Sequence, residues 1–169
     1  MISLQKVTPE NFHRFKDPIL AVEKSSFLSP WSIRAFEAET KRPVSQLWAL
    51  LTGVKIGGYI CFWIFANETH LMNIAVHPQR RKRGFGGCLL KKLIEVSLSE
   101  GATKAWLEVR PSNVGARAFY IKAGFTEISR RPRYYRETNE DAIIMSLSLA
   151  PQDTGLRKSS YIWNVEHAA

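Results

Sequence analysis

The chain predicts an α/β fold: a mixed, mostly antiparallel central sheet of about seven strands flanked by about four helices. Three observations carry this. Strand-sized apolar runs alternate with segments whose apolar residues recur at helical spacing. The runs 45–51, 55–65 and 68–76 follow one another across short turns, which makes an antiparallel meander. Later runs are separated by helix-length segments, which adds crossovers to the sheet. The resulting order is βααβββ–α–β–α–ββ, with no internal repeat.

Length and composition set the frame. The 169 residues fit one domain spanning 1–150, with an extension over 151–169. An apolar content of 45% with 11% aromatics is that of a globular protein. No apolar run approaches the ~20 residues of a membrane span, and MISLQKVTPE lacks a secretory pattern. Cys61 and Cys88 are the only cysteines, without CxxC spacing, so no metal site and no disulfide framework is expected. These features read as a cytoplasmic protein that does not engage a membrane.

A net charge of +9 invites a nucleic-acid reading. The cations cluster at Arg80–Arg83 and Arg130–Arg136. No RNP aromatic pattern, zinc spacing or helix-turn-helix accompanies them, so sequence-specific nucleic-acid binding is not expected. A polyanionic cofactor or a ribosomal neighbourhood explains the charge as well.

Taken in order, Ile2 to Val7 is a short strand, and Thr8 is placed to cap a helix with Pro9 in its first turn. Phe12, Phe15, Ile19, Leu20 and Val22 form that helix's apolar positions. The loop Phe27–Ser32 opens a second helix from Ile33 to about Thr40, with Ser32 as N-cap. Trp31 in this loop is either a core anchor or a wall of a substrate pocket. The meander turns at Thr52-Gly53 and Ala66-Asn67. A helix from Gly86 to Glu100 follows, closed by Gly101. Lys104 to Val109 is a central strand, and Val114 to Ala123 a helix closed by Gly124. Phe125 to Arg131 and Asp141 to Leu149 are the last strands, joined by a polar loop. Beyond Pro151, the apolar cluster Tyr161, Ile162, Trp163 and Val165 either belongs to a loose extension or docks on the body or another subunit.

One stretch organises the chain: LMNIAVHPQRRKRGFGGCLL, Leu71 to Leu90. A strand feeds a helix through a basic, glycine-rich turn. Such a turn lets backbone N–H groups of the first helical residues point at an anion. Four cations at a helix's positive end are unfavourable unless a negative ligand completes the site; the alternative is a solvated basic turn before an ordinary helix.

The run Arg81-Lys82-Arg83-Gly84-Phe85-Gly86 resembles the Q/R-x-x-G-x-G/A signature of the GCN5-related N-acetyltransferases. The motifs NIAVHP, Leu107–Asn113, Ala118-Phe119-Tyr120, Ala123-Gly124-Phe125 and Glu140–Met145 follow in that family's order. Ser29-Pro30-Trp31-Ser32 resembles the substrate loop of the branch that acetylates N-terminal alanines of ribosomal proteins. The resemblance covers roughly Gln5 to Leu149.

The resemblance implies that fold, with acetyl-CoA as cofactor. The pyrophosphate would rest on the amides of Arg81, Lys82, Arg83, Gly84, Phe85, Gly86 and Gly87, and the pantetheine arm along Ile74, Ala75 and Val76. A backbone N–H there, that of Val76, would polarise the thioester carbonyl. Asn113 matches a cofactor contact, and is also placed to be a helix N-cap. Glu108 matches the general base and Tyr120 the general acid; otherwise Glu108 would pair with Arg110 or Arg117, and Tyr120 would be a core residue. Trp31, Tyr134 and Tyr135 would line the substrate end, with Glu108 at its head.

Substrate class follows in part from amine chemistry. An α-amine with a pKa near ~8 is over about a hundredfold richer in free base at neutral pH than a lysine at ~10.4. A modest base therefore suits an N-terminus. The branch resembled implies the N-terminal alanine of ribosomal protein S18, reached by a monomer or weak homodimer. Its substrates begin in basic regions, so the groove of this basic chain should be locally acidic. The alternatives are acetylation of a small amine or lysine side chain, or a non-catalytic module that binds acyl-CoA or RNA.

Overall fold

A computed structural model of the chain describes residues 1–149. Its elements are β1 (Ile2–Lys6), α1 (Phe12–Lys24), α2 (Ile33–Lys41), β2 (Ser45–Thr52), β3 (Lys55–Phe65) and β4 (Glu68–Val76). A 3-10 turn (Pro78–Arg80), α3 (Phe85–Ser99), β5 (Lys104–Val109), α4 (Val114–Lys122), β6 (Thr126–Tyr135) and β7 (Glu140–Ser148) follow. The strands form one seven-stranded sheet in the order β1-β2-β3-β4-β5-β7-β6. Only the β4–β5 pairing is parallel. The expected element order and mixed sheet are both present.

The alternation of β3 explains why helices cover both faces. Tyr59 and Cys61 point into a cluster with Phe15, Ile19, Val22 and Phe36 of α1 and α2. Ile60 and Phe62 point the other way, into a cluster with Leu89, Leu90 and Leu93 of α3. Burying one such side chain contributes roughly 1.5–3 kcal/mol. A strand apolar on both faces is stable only between two helical layers. Among the described residues, no helix is long and apolar enough to cross a membrane.

Two local expectations are corrected. Thr8 does not cap α1. The helix begins at Phe12 with Asn11 at the N-cap, while the Thr8 carbonyl accepts from the N–H groups of Asn11 and Phe12. Asn11 spends its side chain on the Thr8 amide and the Lys6 carbonyl, so residues 8–11 close on themselves as a turn before the helix. The loop after Arg131 is also shorter than expected, because β6 continues to Tyr135 through an irregularity at 131–135. Arg133 sits there at φ 51, its N–H held by Asp141 Oδ1 at 3.0 Å. The extension 151–169, with its cluster at 161–165, lies outside the described residues.

The feature that positions the site is a divergence. β4 pairs with β5 only through Glu68–His70 against Lys104–Trp106. On its other side, β4 skips a residue against β3: Cys61 faces Asn73 and Phe62 faces Leu71, leaving Met72 as a bulge. A bulge bends its strand and adds local twist. Past it the carboxyl half of β4 leaves β5, and the sheet opens between them.

Candidate active site

One wall of this opening is backbone. His77 N–H donates to the Gly57 carbonyl at 2.9 Å across the β3–β4 pair. In an antiparallel pair the bonded and non-bonded positions alternate. The N–H groups of Val76 and Ile74 therefore point away from β3, towards the side that β5 has left. Gly58 faces Val76, where an added Cβ would lie 2.6 Å from the Ala75 carbonyl oxygen. Only glycine admits this close approach.

The turn that follows also leaves donors available. Lys82 and Gly84 take positive φ, at 59° and 78°, and α3 opens on Gly84 with no side-chain cap and no acid in its first turn. Its first backbone bond runs from Cys88 N–H to the Gly84 carbonyl. The N–H groups of Phe85, Gly86 and Gly87 thus precede the helical ladder. Arg80 binds Thr52 Oγ1, and Arg81 binds the Val76 carbonyl and Ser26 Oγ, both at 3.1 Å. Lys82 and Arg83 have no side-chain partner among the described residues. Free amides, two uncommitted cations and an open strand edge are the donor set a diphosphate with an extended amide arm requires. The residues fit such a cofactor.

The opposite wall is made of side chains. Glu108 is on the half of β5 that β4 has left. Neither Arg110 nor Arg117 pairs with it. Arg110 is held by Glu137 and Thr138, at 2.7 Å each, and lies over the Tyr135 ring at 4.0 Å. Arg117 reaches the Pro111 carbonyl and Glu127. Glu108 instead meets His70 Nε2 at 3.0 Å through Oε2 and an Arg131 guanidinium nitrogen at 3.3 Å through Oε1. Tyr135, packed edge-on to Tyr134 at 5.1 Å, has its phenol pushed up to about 12 by burial first and then by the Glu108 charge. Tyr120 is buried between Phe119 and Phe125, with centroids 5.3 and 5.9 Å away. Burial, aided by Tyr135, holds its phenol far above the ordinary tyrosine range, so it keeps its proton.

A third group closes the far end. Glu23, fully buried on α1, accepts from the Trp31 N–H at 2.7 Å, from the Asn73 amide at 3.2 and 3.3 Å, and from the Tyr59 hydroxyl. It ties the loop after α1 to β3 and to the divergent half of β4. The Trp31 ring packs on Phe36 at 5.3 Å, a core contact. Its loop reaches the tyrosines' side through Ser29, which acts on Glu137. Glu137 lies below the usual carboxylate range because of its own backbone amide, then Arg110, then Ser29. Asn113 caps α4, accepting from Ala116 N–H at 3.2 Å. Glu140 binds the Ser112 hydroxyl and amide just before it.

The structure thus brings Glu108, Tyr135 and Tyr134 to one wall, with Tyr120 behind them, and 74–76 with 81–87 to the other. Sequence reasoning missed His70, Glu23 and Asn73, and saw Arg131 only within a basic run. Glu23 carried a signal: an acid four residues after Ile19, on the apolar face of its own helix. His70 carried none, since its pairing depends on the β4–β5 register.

Residues 16–125 match the model of the acetyltransferase (GNAT) family. The ribosomal protein bS18-alanine N-acetyltransferase of Escherichia coli K12 is 34% identical over 131 residues, 76% of this chain and 88% of that protein. The Haemophilus influenzae enzyme of the same name is 35% identical over 131 residues, with the same shares covered. The crystal structure of the ribosomal-protein-S18-alanine N-acetyltransferase from Escherichia coli superposes with a TM-score of 0.78 at 29% identity, covering 92% of this chain and 100% of that one. Ard1 from Thermoplasma volcanium, at 18% identity and a TM-score of 0.79, shares the fold over 89% of this chain and 99% of that one. With its sheet opening, its basic glycine turn and these relatives, the chain belongs to the GNAT family of N-acetyltransferases, enzymes that draw their acetyl group from acetyl-CoA.

Proposed function

We propose that this chain acetylates the α-amine of a protein N-terminus, the N-terminal alanine of ribosomal protein S18. The observation that carries the reading is Glu108: a carboxylate whose side chain is only 12% exposed, on the strand facing the open edge of β4. The names of the relatives at 34–35% identity support the same substrate. Such a substrate places the enzyme in the cytoplasm.

Acetyl-CoA supplies an activated thioester. The amides of Phe85, Gly86 and Gly87, with Lys82 and Arg83, would hold its pyrophosphate. Ile74, Ala75 and Val76 would line its arm, with the Val76 N–H available to the acyl oxygen. Asn113, already a helix cap, would stand beside it. Glu108 takes a proton from the incoming ammonium, which frees the nitrogen lone pair. Tyr120, kept protonated by burial, holds a hydrogen for the leaving sulfur. Tyr134 and Tyr135 form the substrate wall beside Glu108, and Trp31 shapes that end from behind through its loop.

The basic charge of the chain does not contradict a basic substrate. On the amine side, Arg110, Arg130 and Arg131 are each paired, with Glu137, Glu127 and Glu108. Lys82 and Arg83, which have no side-chain partner among the described residues, belong to the turn on the opposite wall.

Incubation with acetyl-CoA and a peptide that begins with alanine, read by mass spectrometry, tests the substrate. Acetyl gain on the peptide's α-amine is expected. No gain on the peptide, with turnover on small amines or lysine side chains, would overturn it. Tyr120→Phe should lower kcat by roughly tenfold or more while the KM for acetyl-CoA holds.

A further inference from the structure

His70 is held more firmly than a surface histidine needs to be. It is the last β4 residue that still pairs with β5, where it faces Trp106. Its ring lies on the Trp106 indole with centroids 3.8 Å apart and planes 12° from parallel. The Trp63 ring meets it edge-on at 6.5 Å. This clamp directs Nε2 at Glu108 Oε2, 3.0 Å away, and leaves the two side chains 14% and 12% exposed. An ionised carboxylate offers lone pairs only, so Nε2 must carry a hydrogen and donate it.

We propose that His70 is the positioning residue for Glu108 and sets the lower edge of the enzyme's working pH range. The inference rests on Glu108 being the base of the reaction. As a neutral imidazole, His70 donates one hydrogen bond that orients the carboxylate. Glu108 can then accept the amine's proton: the N–H bond breaks, an O–H bond forms, and the electron pair stays on nitrogen. As an imidazolium, His70 places the carboxylate between two cations, with Arg131 on its other oxygen. Accepting a proton there would give up two ion pairs, so turnover falls as His70 charges.

The other ionisable groups facing the pair are Arg131 from β6 and Tyr135 at its end. Beyond Trp63 lie Arg42, 4.7 Å above the indole, and Glu39, 2.7 Å from its Nε1. Of these side-chain types, only imidazole ordinarily changes charge between about pH 5 and 8.

His70→Gln keeps an amide donor near the Nε2 position but cannot titrate; His70→Ala removes both properties. At about pH 8, His70→Gln should lose roughly fivefold in kcat and His70→Ala about tenfold more, with the KM for acetyl-CoA unchanged. The His70→Gln deficit should narrow as the assay is made more acidic, because the variant has no ring to charge. Profiles of wild type and His70→Gln that superimpose after scaling would overturn the proposal. Long-range 15N–1H NMR of the wild type is the second arm and needs no turnover. It should find the neutral His70 ring protonated on Nε2, and a ring protonated on Nδ1 alone would overturn the proposal whatever the variants do. Failure of the alanine-peptide assay would strike the substrate reading alone, since the NMR arm still decides the His70–Glu108 bond.

Discussion

The two walls of the opening are built differently. The wall proposed for the cofactor is one continuous stretch, Ile74 to Gly87, whose working parts are backbone: the β4 edge, the left-handed turn and the first amides of α3. The amine wall is made of side chains. His70, Glu108, Arg131 and Tyr135 come from β4, β5 and β6. Backbone donors tolerate many sequences, whereas a constellation of side chains fails when one member is lost. The cofactor wall should therefore degrade gradually under substitution and the amine wall abruptly.

The most damaging single change should be Glu108→Gln, which keeps shape but removes the proton acceptor. A loss of about a hundredfold or more in kcat is expected, with acetyl-CoA affinity retained by calorimetry. A rate near wild type would break the contrast between the walls. Glu23→Ala should come next. It leaves the Trp31 amide, the Asn73 amide and the Tyr59 hydroxyl without their acceptor in a buried site. Roughly 3 kcal/mol of stability should be lost by chemical denaturation, and the KM for peptide should rise more than that for acetyl-CoA. Equal changes in both would show that Glu23 braces the two walls alike.

On the cofactor wall, Lys82→Ala and Arg83→Ala should each weaken coenzyme A binding by only about fivefold, an effect that shrinks in high salt. A hundredfold loss from either would mean that side chains, not amides, carry the anion. The smallest effect concerns alkaline stability. The folded chain holds the Tyr135 proton up to about 12, above the ~10 of a free tyrosine. The stability linked to it is intact below about pH 10 and is lost as pH rises through 12. Tyr135→Phe should flatten that decline in thermal melts, and an unchanged slope would show that burial of Tyr135 does not contribute.

The contrast between the walls also accounts for what could be read early. Gly84 and the Arg81–Gly86 run announce a phosphate-type turn because a left-handed residue and a helix start are properties of adjacent residues. Glu108 and Tyr120 are singled out by their motifs. The partners of Glu108 were not, because Arg110, the nearer cation in sequence, turns away to Glu137 and Tyr135, while His70 and Arg131 arrive from strands 38 and 23 residues distant. Thr8 was misread as a cap because Asn11 competes for the same turn with a side chain that binds backwards.

The sequence by itself determined the order of strands and helices and the glycine-rich, left-handed form of the turn before α3. Each follows from periodicity or from backbone preferences within a few residues. Tertiary structure alone decided where β4 leaves β5. A one-residue bulge at Met72 and the loss of pairing after His70 set that point, and with it the neighbours of Glu108. The register between distant strands is a property of the whole sheet, so no local stretch of the chain encodes it.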